Sequence, residues 1–563
     1  MKIIPFGIFI LFGTVQIYSQ NTKILWQKDI PSSTQDFLTT MTSTIDRQIL
    51  LSGSSIQSQK ASINGNSQNG GYDYHVIKLN QQGDKVFEKY FSGNRQDYLN
   101  ATLATQEGGF LLTGTSFSTK ALDKKYKSLG SSDFWIIKTD ENGEEQWQKT
   151  IGTKYADEAR SVVQTIDLGY LVAGNTQLSD QGFGAGDILI TKLDEKGKTL
   201  YQTILGGNGQ DEIEKIIPTK DGGCLVAIYS QSGKYSGEAK NKIASSALLN
   251  LSANSNSSSQ NQNTPNMGTE PEEKFDVSFY GKQTDNYGIG DYWIVKLNKT
   301  GNVEWEKNFG GKEDDHIRTI AFKDSGYIIG GESRSESSGN KTVASKEGTD
   351  LWLVSLDGQG NEEWQKSYSF GTRDILMSFN VIRKTNKDNF SEDKGFLLGG
   401  YTQAEGKIMT DDEKFWMLYI DVNGKEEWRK HIEGKEKKKE EKLVSAKLQS
   451  DGTFVLAGTS AEELGQENWK ILKLGDKDLD NLIEKQDIRI YPNPVDDYAY
   501  VEIGFDFTGE AEILLHDMSG RIMQTIKTKN KVTKINTAGL PQSVYVVTAT
   551  TAKKAVNTKI VKK

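Results

Sequence analysis

A pair of strand signatures recurs along the chain, and its seventh copy is split between the two ends of the main body. The first signature reads DYHVIKLN from Asp73, DFWIIKTD from Asp133, DILITKLD from Asp187, DYWIVKLN from Asp291, DLWLVSLD from Asp350, KFWMLYID from Lys414 and NWKILKLG from Asn468. Each is a nearly continuous apolar and β-branched run, the pattern of a strand buried on both faces. The second signature centres on Trp147, Trp305, Trp364 and Trp428, with Phe87 and Tyr201 in that place in two further copies. Asn or Asp, two residues and then Gly separate the signatures, as from Asp140 to Gly143. The Asx side chain closes its own turn and Gly takes the positive φ, so each pair forms a tight hairpin.

A second hairpin follows in each copy, with turns such as Asp167 to Gly169, Asp221 to Gly223, Asp324 to Gly326 and Asp451 to Gly452. Four residues after an apolar marker (Phe110, Tyr170, Tyr327, Phe396, Phe454) stands Gly114, Gly174, Gly331, Gly400 or Gly458, and Gly53 follows Ile49 in the same way. Four short antiparallel strands per unit make one propeller blade. The signature strand at Asn468 has no Trp strand after it; the missing one is ILWQKDI around Trp26. The fold class that follows is all-β: a seven-bladed β-propeller, residues 21–475, closed by its N- and C-terminal strands. With the Trp strand outermost, the carboxyl end supplies three strands of the last blade and the amino end one.

The 56 Gly, 8 Pro and 10% aromatics suit short strands with glycine turns rather than disorder. A net charge of −8 excludes nucleic acid as an expected partner, because that affinity rests on clustered Lys and Arg. A mixed-sign run at 433–442, EGKEKKKEEK, reads as a solvated loop. Residues 1–20, MKIIPFGIFILFGTVQIYSQ, read as a secretory signal peptide: a Lys, an apolar stretch too short for a comfortable span, then small and polar residues. They lack the cysteine a lipid anchor needs, and the single Cys224 of the chain leaves no internal disulfide.

Because strands alternate direction, all the tight turns fall on one face of the disc, which reads as inert scaffold. The opposite face carries the variable connections, so any ligand site is expected there. Its longest connection, 231–290, has the centre NLSANSNSSSQNQNTPN, which reads as disordered, and KFDVSFYG from Lys274, which alternates as an extra strand would. Just before it Ile228 stands where the repeat has Gly, so the third blade departs from pattern, and function is expected where the repeat fails.

Aspartates also recur on this face: Asp73, Asp133, Asp187, Asp291 and Asp350 at strand entries, and Asp97, Asp157, Asp211, Asp315 and Asp374 in loops. One Asp per blade at a fixed place reads as a turn cap; calcium is the weaker alternative, and no cofactor is expected. The four histidines, His75, His316, His431 and His516, lack metal-ligand spacing, and Cys224 holds an apolar marker position, reading as a core thiol. There is no nucleophile elbow, phosphate loop or dinucleotide fingerprint. A binding or adhesion module for polysaccharide or protein, acting as a monomer, is the preferred reading. A secreted carbohydrate-active hydrolase or lyase with acidic catalysts on the variable face is the alternative, since carboxylate separations are invisible in sequence.

The last stretch, 488–563, begins IRIYPNPVDDYAYVEIGF and ends in KIVKK. Prolines start its first strand, alternating apolar residues follow and Gly520 turns a hairpin, the pattern of a small β-sandwich. Its Tyr491-Pro492-Asn493-Pro494, the DMSGR run around Gly520, Leu540, Tyr545 and the terminal Lys562-Lys563 resemble the C-terminal sorting domain of the type IX secretion system of Bacteroidetes. The resemblance implies that Tyr491, Pro492, Asn493, Pro494, Gly520, Tyr545, Lys562 and Lys563 form the sorting signal and that the secretion machinery is a partner. It also implies extracellular or outer-membrane-surface localisation. Residues 476–487 then serve as a linker, and the repeat resembles the Trp-containing propeller repeats of secreted Bacteroidetes proteins.

Overall fold

The computed structural model describes residues 22–31, 36–56, 71–178, 182–236, 242–245, 275–385, 391–403, 414–432, 440–461, 468–484, 486–505 and 507–563. The expected signal peptide, the NLSANSNSSSQNQNTPN tract and most of the 433–442 charge run lie outside these residues. No helix among the described residues is long and apolar enough to cross a membrane.

The fold is all-β and built of repeated four-stranded sheets. In the first sheet, strands Phe37–Ser43, Ile49–Ser55, Asp73–Leu79 and Lys85–Phe91 pair antiparallel in chain order. The signature strand Asp73–Leu79 is buried at every position, as its unbroken apolar run predicts. The Trp-type strand after it is outermost and half-exposed. Strands at 97–151, 157–206, 211–309, 315–368 and 373–432 repeat this order in five further sheets. In each tight hairpin the Asx side chain accepts two backbone N–H groups, as Asp140 does from Asn142 and Glu144, while Gly143 takes φ 78°.

The seventh sheet is made of both ends of the body. Strands Glu440–Leu448, Phe454–Ala461 and Asn468–Gly475 come from the carboxyl side, and Lys23–Ile30 pairs antiparallel with Asn468–Gly475 as the fourth. The first strands of the seven sheets touch their neighbours in cyclic order, with Glu440–Leu448 contacting Phe37–Ser43. Trp469 of the last sheet and Leu51 of the first share one apolar cluster.

The extra strand expected near Lys274 is present as Asp276–Gly281, which pairs parallel with Thr199–Gly206 at the outer edge of the third sheet. Lys242–Ser245 pairs beyond it. Ile228 itself lies in the fourth sheet in chain order, not the third, because the long connection runs from that sheet's second strand to its third and adds its strands to the neighbour.

Within 476–487, Asp476 caps a helix, Lys477–Leu482, by accepting the Asp478 N–H at 2.8 Å. Leu479 and Leu482 are buried against the last two sheets, which ties the connection to the body. Beyond it, the sheet of Ile488–Tyr491, Tyr498–Ile503 and Val532–Asn536 and the sheet of Ile522–Thr528, Ala511–Asp517, Ser543–Thr550 and Ala555–Lys562 enclose one core containing Val501, Ile513 and Val547.

Candidate functional site

The repeated aspartates of the variable face are loop fasteners. Nine of the ten accept the backbone N–H four residues earlier: Gly93 to Asp97 at 2.9 Å, Gly207 to Asp211 at 2.7 Å, Leu129 to Asp133 at 2.9 Å and Tyr287 to Asp291 at 2.7 Å show the pattern, which Asp157, Asp187, Asp315, Asp350 and Asp374 share. A carboxylate that closes a loop through backbone amides fixes where each connection leaves the disc. All are buried, and burial lifts Asp97, Asp157, Asp291 and Asp374 to about 6.

Three buried lysines thread the same loops. Lys124 donates to Ser116 and to the Ser118 carbonyl, Lys282 to Ser230 and the Ser232 carbonyl, and Lys341 to the Ser335 carbonyl and Ser345. Each lies in the field of two loop aspartates: Asp97 and Asp133, Asp211 and Asp291, Asp315 and Asp350. The sequence carried this signal, because each lysine stands nine residues before the signature Asp. Asn64 stands at that place before Asp73, and in the third sheet Leu178 does. There Asp187 is pushed up to about 7, by burial first and then by the neighbouring Asp211 charge.

Between the loop ends of the first four sheets opens a cleft of about 760 Å³. One wall is aromatic: Phe37 packs on Tyr72 at 5.1 Å between ring centres, Tyr72 on Tyr98 at 5.4 Å, and Phe117 meets Tyr98 edge-on at 6.3 Å. Phe37 and Phe117 are 40% and 39% exposed, a high figure for such rings. The facing wall is polar, with Glu158 paired to Arg160 at 3.2 Å and Glu212 holding Gln210. Sequence reasoning placed a site on this face but did not find these residues. The available signal was a single variable position: immediately after the loop Asp stand Phe37, Tyr98, Glu158, Glu212, His316 and Ile375 in successive copies.

Ile228, singled out as a departure from the repeat, is fully buried core and not part of the site. At three of the repeat glycines a Cβ would meet an aromatic side chain of the preceding sheet: Trp469 at Gly53, Tyr74 at Gly114, Phe134 at Gly174. In the pair flanking Ile228 that aromatic is replaced by Ile188, so volume removed on one sheet is restored on the next. Cys224 lies in the same core, its thiol pushed up to about 12 by burial. His75 is buried between Ser55 at 2.8 Å and Glu88 at 2.9 Å and stacks on Tyr90; His316 pairs with Glu214 at 2.9 Å and stacks on Tyr229. His431 meets Phe370 edge-on, and His516 lies in the strand Ala511–Asp517. Among the described residues no three His, Cys, Asp or Glu side chains converge as metal ligands would.

The opposite, tight-turn face is not inert. The signature lysines run down to it and pair with the acids of the second hairpins: Lys78 with Asp46 at 3.0 Å, Lys138 with Glu107 at 3.0 Å, Lys192 with Asp167 at 2.7 Å, Lys296 with Asp221 at 2.7 Å and Lys473 with Asp451 at 2.9 Å. Over these turns sits the C-terminal unit. Arg47 binds Glu502 at 2.8 Å and lies 5.1 Å over the Tyr491 ring, Lys534 binds Glu141 at 2.9 Å, and the Tyr500 hydroxyl donates to Glu141 at 3.3 Å.

Most of the residues read as a sorting signal meet at one end of this unit. Tyr491 stacks on Tyr500 at 6.0 Å. Asn493 accepts the Val561 N–H at 2.9 Å and donates to the Lys559 carbonyl at 3.1 Å, and the Lys563 N–H reaches the Val495 carbonyl at 3.0 Å. The Tyr491–Asn493 segment, with Pro492 and Pro494, is thereby bound to the final strand, which contains Lys562. Tyr545 is buried, its hydroxyl donating to the Pro541 carbonyl at 2.8 Å. Gly520 lies elsewhere, at φ 86° in the hairpin after Asp517.

A family model described as the secretion system C-terminal sorting domain matches residues 489–563. The C-terminal unit is a type IX sorting domain. It directs export by type IX secretion to the cell surface or the extracellular space. No curated protein matches the chain. Among solved structures, the extracellular domain of the one-component system BT4673 from B. thetaiotaomicron is 9% identical, covering 93% of this chain and 80% of that one, with a TM-score of 0.22. A Synechocystis apocarotenoid oxygenase mutant is 10% identical over 90% of this chain and 98% of its own, with a TM-score of 0.34.

Proposed function

We propose that the body is a closed seven-bladed propeller that binds polysaccharide through the cleft on its variable face, delivered by the sorting domain after an export signal at 1–20. The observation that carries this reading is the aromatic wall of Phe37, Tyr98 and Phe117, with Tyr72 packed against the first two rings, sharing one cleft with Arg160, Glu212 and Gln177. Saccharide rings have an apolar face that packs on aromatic rings, and hydroxyls that pair with amides and charged groups; concave sites use that combination of apolar wall and few polar anchors. Ring closure is supported by the mixed-origin seventh sheet and by the contact of Trp469 with the first sheet.

Two acids at the cleft, Glu158 and Glu212, keep a hydrolase or lyase as the second reading, although both already hold a partner. A glycan array on the secreted chain, run beside a reducing-sugar release assay, tests the choice. Retained glycan binding, lost in Tyr98→Ala and without turnover, is expected. Turnover without retained binding would overturn the binding module in favour of the enzyme.

A further inference from the structure

The cleft on the variable face carries more acid than base. Glu158, Glu212 and Arg160 are its partly exposed charged side chains, and Arg160 is the one basic residue lining it among the described residues. Arg160 is engaged by Glu158 at 3.2 Å, whereas Glu212 is held by the neutral side-chain amide of Gln210.

The floor adds to the imbalance. In the second sheet Asp97, Ser116 and Asp133 stand side by side on three paired strands, and the Lys124 ammonium donates to the middle residue, Ser116, at 2.7 Å. Lys282 does the same at Ser230 of the fourth sheet, at 2.9 Å, and Lys341 enters the matching loop of the fifth. The third sheet has the same row, Asp157, Thr176 and Asp187, with Leu178 in place of the lysine. Its acids are held by neutral donors: Asp157 by the Thr153 hydroxyl at 3.0 Å, Asp187 by the Phe183 N–H at 3.1 Å. Asp157 lines the cleft, and its buried Oδ1 has no hydrogen-bond partner. The row that lacks an ammonium of its own therefore lies at the cleft.

We propose that the cleft selects a saccharide carrying a protonated amine, an amino sugar rather than a neutral sugar or a uronic acid. The inference rests on the saccharide reading of the cleft and names its substrate class. A cleft lined mainly by one sign of charge focuses its field into the space a ligand enters. A sugar ammonium gives Glu212 a charge-assisted hydrogen bond and lowers the energy of the acids beneath through the same field. The aromatic wall suits such a ring, since Phe37, Tyr98 and Phe117 offer contact to its apolar face and attract a neighbouring cation. A uronate would set a second carboxylate beside Glu212 with Arg160 already engaged, a like-charge contact that disfavours binding.

The test is calorimetric titration of the secreted chain at about pH 7, where amines of ordinary pKa keep a proton and exposed carboxylates do not. The probes are oligosaccharides of equal length: a hexosamine oligomer with free amines, the same oligomer N-acetylated, and a hexuronate. The free-amine oligomer is expected to bind at least about tenfold tighter than its N-acetylated form, the range of one charge-assisted hydrogen bond, with the hexuronate weakest. Glu212→Gln narrows that ratio several-fold, while Asp84→Asn, an exposed acid beside a tight turn, leaves it unchanged. Because the ratio is read on one protein at a time, a loss of folded fraction affects both hexosamines alike. Equal binding of the two hexosamines, tighter binding of the hexuronate, or a ratio unchanged in Glu212→Gln overturns the amine selection while the saccharide reading stands. Binding of none of these probes overturns both.

Discussion

Trp469 of the last sheet lies so close to Gly53 of the first that a Cβ on Gly53 would fall 2.8 Å from the indole Cζ2 and 1.9 Å from the Phe37 carbonyl oxygen. The joint between the two ends of the body therefore depends on the absence of a side chain at one residue. Gly53→Ala is expected to cost about 2 kcal/mol or more, the range for overpacking a filled core, as read by chemical denaturation. Deleting residues 22–31 removes the strand that covers Asn468–Gly475 and should lower the melting temperature and expose that edge to proteolysis. Equal stability after the deletion would show that the amino-terminal strand does not close the last sheet.

Ile228 and Ile188 form a volume exchange across two sheets, which a double-mutant cycle can read. Ile228→Gly should cost about 3 kcal/mol or more through the void it leaves, and Ile188→Phe alone should cost about 1–3 kcal/mol through crowding. Combined, they recreate the arrangement of Gly174 and Phe134, so the double variant should be more stable than the sum of the singles predicts.

Asp187 makes stability depend on pH. Its folded pKa of about 7 lies above that of the unfolded chain, so the folded state holds the proton longer. The contribution is fully present below the ordinary aspartate range near 4 and is lost as pH rises through about 7. Asp187→Asn keeps an acceptor for the Phe183 N–H and removes the charge. It should stabilise the protein at pH 8 by about 1–2 kcal/mol and flatten the pH profile between 5 and 8. A thermal melt series across that range checks both, and an unchanged profile would show that Asp187 titrates normally.

Arg47 joins the body to the sorting domain through Glu502 and the Tyr491 ring. Arg47→Ala should leave the melting of the body unchanged while speeding proteolytic release of residues 489–563 several-fold, since it removes a half-buried charge pair and a cation–π contact. Unchanged release would mean that Lys534 and Tyr500 hold the interface without it.

The repeat and the hairpins were legible because their determinants are local, an Asx, a Gly and a buried run within about twenty residues of one another, whereas the outer place of the Trp strand followed from the strand order of other propellers. The extra strand at Asp276–Gly281 was legible for the same reason. The cleft was not, because Phe37, Tyr98 and Glu212 come from different copies and converge only when inner strands are set side by side. Ile228 was misread because its explanation, Ile188, lies in another copy of the repeat. The lysines nine residues before the signature Asp form a weak periodic signal, because only three copies carry one.

The sorting domain occupies the turn face, and the chain leaves the body on that side at Gly475. The aromatic cleft opens at the opposite pole. The two poles of the body are thus unequal: the one that carries the export address is covered by the sorting domain, and the one that carries the cleft stands clear of it.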